Sequence, residues 1–140
     1  MNGGFSTYIN NQVLQTYFGG SGISPPSTLY FGLSKNVFSK LSSMGNIVEP
    51  TDLYYTRVSV NNNAQNFNTP NNGMVSNKIA LTWPTPQQDW GIVQCVFVAD
   101  ASGISKGNVI AYYNLTNQIA VNSGSVPLTI PSGSFNIIFS

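Results

Sequence analysis

Trp90-Gly-Ile-Val-Gln-Cys-Val-Phe-Val-Ala-Asp100 is the most apolar run in the chain. Its length and its lack of a polar alternation predict a central β-strand covered on both faces. The segments around it carry strand signals of the ordinary half-buried kind. Leu29-Tyr-Phe-Gly-Leu33 is rich in strand formers. Residues 54–60 alternate, with Tyr55, Arg57 and Ser59 on one face and Tyr54, Val58 and Val60 on the other. Residues 78–83 form a strand closed by Pro84 and Pro86, and further strands are predicted over 109–113, 119–121, 126–130 and 135–139. Ala101-Ser-Gly103, Asn122-Ser-Gly124 and Pro131-Ser-Gly133 turn the chain between them. Seven or eight short strands with regular turn signals read as a mainly β protein, a single antiparallel β-sandwich of jelly-roll or Ig-like type.

One segment departs from this pattern. Phe5, Tyr8, Ile9, Val13 and Tyr17 recur at spacings of three and four, and Leu14 and Phe18 widen the stripe. That is the period of a short N-terminal α-helix over residues 5–18. Gly19-Gly20 ends it and Pro25-Pro26 prevents its resumption. An aromatic stripe of this kind either packs on the core or docks on another subunit. The chain is thus expected to be one domain, 1–140, with the helix within 1–20 and the sandwich over 27–140. Residues 35–50 fit either a short helical turn or a loop. Residues 61–77 form a long Asn-rich surface excursion with Phe67 as its anchor.

Only 6% of the 140 residues are charged and none is histidine, against about 25% charged in typical globular domains. The acids are Glu49, Asp52, Asp89 and Asp100, and the bases Lys35, Lys40, Arg57, Lys78 and Lys106. A net charge of +1 supplies no field for nucleic acid or anionic lipid, and the five bases make no stripe. No apolar stretch is long enough for a membrane helix, and the start of the chain lacks a secretory leader. Hydrophobic residues make up 41% of the chain, far above a disordered composition. The single Cys95 lies within the apolar run and reads as a small buried hydrophobe.

The same scarcity bears on chemistry. Without histidine, one cysteine cannot assemble a zinc site, and Asp100 alone in a turn is no calcium site. No cofactor is implied. A glycosidase pair needs two facing carboxylates. Asp89 and Asp100 bracket one strand and so stand about 35 Å apart when it is extended; Glu49 and Asp52 belong to a Pro-containing turn beside Tyr54 and Tyr55. The chain therefore reads as non-enzymatic. Trp83-Pro-Thr-Pro-Gln-Gln-Asp89-Trp90-Gly91 is the sharpest local signature. Its prolines Pro84 and Pro86 stiffen a turn, Asp89 can accept from backbone amides, and Trp90 can fold over the end of the sandwich, making a structural corner. Tyr, Trp, Asn and Gln are also the palette of a neutral-glycan site, although both tryptophans border strands and suit a core.

The order of these motifs resembles a family of small bacteriophage virion proteins often labelled "tail fiber protein". The matching residues are Asn11-Gln-Val-Leu-Gln-Thr-Tyr-Phe-Gly-Gly20, Pro25-Pro-Ser-Thr-Leu-Tyr-Phe-Gly-Leu33, Tyr55-Thr-Arg57, Asp89-Trp90-Gly91 and Pro131-Ser-Gly-Ser-Phe135. Residues 35–49 and the Asn-rich excursion are insertions relative to that pattern. The resemblance implies a structural virion protein made in the bacterial host cytoplasm. It would attach in multiple copies to the head, neck or tail surface as a decoration or fibre-like knob, with other virion proteins or its own copies as partners. The alternative it allows is a receptor-binding module for a neutral host-surface glycan at a tail tip. Low charge adds an expectation of its own, self-association that salt barely affects.

Overall fold

The computed structural model describes residues 2–139. Among the described residues, nine strands and one α-helix follow in chain order: β1 (Asn2–Phe5), α1 (Thr7–Gly19), β2 (Thr28–Ser34), β3 (Val58–Asn61), β4 (Met74–Ser76), β5 (Leu81–Thr82), β6 (Gly91–Ala99), β7 (Val109–Val121), β8 (Thr129–Ile130) and β9 (Asn136–Ile138). A five-stranded antiparallel sheet in the order β1-β7-β6-β2-β3 forms one layer. Two antiparallel ribbons, β4-β9 and β5-β8, form the facing layer. The protein is a β-sandwich with a short N-terminal helix, its second layer split in two.

The central position of β6 follows from its sequence. Val96 and Val98 face the ribbons together with Phe31 and Leu33 of β2, and they pack on Leu81, Trp83, Phe135 and Ile137. Cys95, Phe97 and Ala99 face the other way, under a lid formed by Phe38, Met44 and Ile47. Residues 35–50 are this lid, a loop with one 3-10 turn at Met44–Asn46. Asn114 ties the lid down: its amide accepts from Phe38 N at 2.9 Å and donates to Phe38 O at 2.7 Å. Gly32 is required beneath it, because a β-carbon there would collide with the Phe97 ring.

Several elements differ from their sequence expectation. Phe5 lies in β1, not in the helix: residues 2–5 pair with Asn114 to Ala111 of β7, a strand that Gly3 and Gly4 hide from propensity. Residues 109–113 and 119–121 belong to one strand rather than two. From Val93 to Cys95 β6 advances two residues while β7 runs five, from Ile119 to Asn114, so the excess bulges out of the ladder. A second irregularity near Ile110 turns the consecutive residues Ile110 and Ala111 toward the same core. The alternation over 54–60 breaks at Arg57, which is buried along with Tyr55, while Ser59 is exposed. The Asn-rich excursion contains β4 and a tight turn with Asn72 at φ 51° and Gly73 at φ 73°. Phe67 stacks on Phe31 with ring centroids 6.4 Å apart.

Candidate functional site

Three of the nine charged residues are buried: Glu49, Asp52 and Arg57. Each is committed to holding the chain together. Arg57 Nε and Nη2 donate to Glu49 Oε1 and Oε2 at 3.0 and 2.8 Å. Arg57 Nη1 donates to the carbonyls of Ala101 and Lys106 at 2.6 and 3.0 Å, and its guanidinium lies 5.0 Å from the Phe97 ring centre. Glu49 also accepts from Tyr55 Oη at 2.9 Å and from Ser105 N at 3.0 Å. Tyr55 Oη in turn accepts from Leu33 N at 2.8 Å. Burial, and then the Glu49 carboxylate beside it, push the Tyr55 hydroxyl well above the ordinary phenol range. A buried pair with every donor and acceptor satisfied is a clamp between loops rather than a reactive site.

Asp52 performs a second structural task. Its Oδ2 accepts from Trp90 Nε1 at 2.8 Å, Gln87 N at 2.8 Å and Gln88 N at 3.0 Å, and its Oδ1 from Tyr54 N at 3.0 Å. Burial opposes ionisation of this carboxyl, but the four hydrogen bonds outweigh it and hold the group at about 2. In the segment where a corner is expected at Trp83, Pro84, Asp89, Trp90 and Gly91, Asp52 thus bonds Gln87, Gln88 and Trp90 from outside. Trp83 and Trp90 are both 1% exposed, and Trp90 meets Tyr55 edge-on at 5.2 Å. Asp89 is exposed and accepts from Ser123 N at 2.8 Å. Pro84 is half-buried, and Gly91 takes the left-handed φ of 84° against the Lys35 side chain. In the sequence Asp52 stands out only as one of a carboxylate pair with Glu49. No local sequence signal marks its structural task, since Gln87, Gln88 and Trp90 lie 35, 36 and 38 residues away.

The candidate interaction site lies elsewhere, beside α1. Ser6 starts the helix: its hydroxyl accepts from Ile9 N at 3.4 Å and donates to Val109 O. Thr7 N and Oγ1 both donate to Lys40 O, at 3.0 and 2.7 Å. Gly20, at φ 70°, ends the helix in the left-handed conformation. The helix is therefore pinned at its start, and none of its side chains is buried. Tyr8, Ile9 and Val13 form one wall of an open cleft of about 730 Å³. Pro25, Pro26 and the 62–70 segment form the other walls, and Leu29, Val98, Ile110 and Ile137 the floor. Tyr17 points away at 79% exposure, with Phe18 at 86% and Leu14 at 56%. Of the residues expected to make an assembly helix, Phe5 sits in β1 against Phe139 at 5.3 Å and lines the cleft along with Tyr8, Ile9 and Val13, and Tyr17 is on the open side.

The walls of this cleft share one property. Residues 1–34 and 61–77 contain no Asp, Glu, Lys or Arg. Among the described residues, the only charged one lining the cleft is Asp100, and its carboxylate accepts from Asn108 N at 2.7 Å and Nδ2 at 3.1 Å. The cleft asparagines turn inward too: Asn62 donates to Pro26 O at 2.9 Å and Asn68 to Ser76 Oγ at 2.8 Å. What the cleft offers a partner is largely apolar surface, with neutral polar groups such as Gln12, Ser24 and Thr69 among it.

Among known families, the chain falls with bacteriophage fibre-type virion proteins. It belongs to the podophage GP4 fiber I protein gp80 family, whose model matches residues 4–138. No curated protein matches the chain.

Proposed function

We propose that the protein is a non-enzymatic structural component of the phage particle, attached in multiple copies to the head, neck or tail surface. The observation that carries this reading is the division of polarity across the molecule. Its buried ions hold loops together, whereas the face formed by α1, the 20–26 connector and the 61–77 excursion is free of ions. Desolvating such a face costs little, so it suits attachment through apolar and neutral polar contact. Both edges of the large sheet, β1 and β3, are uncharged as well, and uncharged edges pair readily with other chains.

Quantitative mass spectrometry of purified particles tests the reading. Multiple copies per particle are the expected result; absence from particles sinks it. The glycan-receptor alternative has Tyr8 and the asparagines of the cleft wall in its favour. The bonds that Asn62 and Asn68 make to their own chain count against it. Repeatable glycan binding on an array, lost with Tyr8→Ala, would select that alternative instead.

A further inference from the structure

We propose that the cleft beside α1 receives the tip of α1 from a second copy of this chain. The proposal deepens the attachment reading and rests on it, naming the partner that the uncharged face takes first.

The helix is apolar on two sides. At 3.6 residues per turn, Tyr8, Ile9 and Val13 share the side that lines the cleft, while Leu14 and Phe18 fall on the opposite side. Tyr17 stands on the margin between them. An amphipathic surface helix has one apolar stripe, which its own fold covers; α1 has a second apolar side, bounded by Asn10, Asn11 and Gln15, which is left for a partner. In the single chain α1 is anchored at its first turn, and its tip projects with three large apolar side chains.

An uncharged and largely apolar occupant suits the cleft, because its lining is mostly apolar and the Asp100 carboxylate is already engaged. The chain carries such a segment itself. Residues 1–34 contain no charged side chain, so a second α1 tip meets the cleft with neither repulsion nor unpaired ions. Area supports the same choice. Leu14, Tyr17 and Phe18 present on the order of 400 Å² together, which is at the limit of what a monomer leaves exposed. A two-fold arrangement in which each tip enters the other cleft covers both tips and both clefts. That buries roughly 1,200 Å², the lower bound of a specific interface.

Sedimentation velocity of the full chain across the micromolar range is the test. The expected result is a reversible dimer or higher assembly, insensitive to salt. Tyr17→Ser/Phe18→Ser should weaken it at least about thirtyfold without lowering the melting temperature, since both side chains are exposed. Ala64→Trp, which fills the cleft from its far wall, should weaken it equally. Copies bearing Phe18→Cys mixed with copies bearing Ala64→Cys should form a disulfide between chains. A monomer throughout this range, or association that survives both kinds of variant, overturns the proposal. Neither of those results touches the presence of the protein in particles, which is measured separately, so the two readings fail independently.

Discussion

Arg57 and Glu49 are joined by two parallel hydrogen bonds of 3.0 and 2.8 Å, with their side chains 0% and 1% exposed. Removing one partner leaves the other charge buried and unpaired, which costs about 3–5 kcal/mol. Arg57→Met and Glu49→Gln should each lower the denaturation midpoint accordingly. The double variant should lose markedly less than the sum of the two, because neither charge is then left alone. Strict additivity in a double-mutant cycle would show that the two side chains act separately.

Acid should weaken the protein through Asp52. The folded-state carboxyl sits at about 2, below its ordinary 3.8. Its contribution is therefore complete above the ordinary value and is lost as the pH falls toward 2. The melting temperature of the parent should drop across pH 4 to 2. Asp52→Asn should start lower at neutral pH and show a shallower drop over that window. Parallel curves for the two proteins would assign the acid sensitivity to other groups.

The two buried tryptophans should respond differently to phenylalanine. Trp90 Nε1 donates to Asp52, whereas Trp83 Nε1 has no acceptor among the described residues. Trp90→Phe deprives a buried carboxylate of a donor and should cost about 1–3 kcal/mol beyond the lost ring volume. Trp83→Phe loses ring volume alone. Equal losses in urea melts would contradict this assignment of the corner.

Burial pushes the Cys95 thiol up to about 12, so little thiolate exists at neutral pH. Modification by a maleimide should be slow in the native protein and should accelerate in step with global unfolding in denaturant. Rapid labelling under native conditions would mean that the 35–50 lid opens locally. Gly32→Ala should have that effect, because the new methyl displaces the Phe97 ring on which the lid rests.

Much of the fold is legible in residues 90–100, since an unbroken apolar strand must have cover on both faces, and the helix announces itself by period. The missed elements are those that depend on a distant partner. Asn2–Phe5 contains Gly3 and Gly4 and becomes a strand only because β7 is long enough to pair with it. Met74–Ser76 lies within polar sequence and is held by Ile138, Ile137 and Asn136. The bulge in β7 is a mismatch between two strands and has no signature in either one. The same holds at the candidate site. The stripe of Tyr8, Ile9, Val13 and Tyr17 is visible in sequence, but the gap between α1 and the 62–70 segment is a property of how they are placed. Asp52 is illegible for a related reason, its partners Gln87, Gln88 and Trp90 being remote in the chain.

The Arg57 clamp joins segments far apart in the chain, since its carbonyl partners Ala101 and Lys106 lie 44 and 49 residues away. Contacts of that span must wait until the intervening loop has closed. The clamp should then be absent from the transition state for folding and act as a latch on the way out. In a chevron experiment, Arg57→Met should accelerate unfolding while leaving the refolding limb nearly unmoved. A protein whose latch works in this way resists unfolding through slow escape from the native state, and its lifetime is set by a rate as much as by an equilibrium.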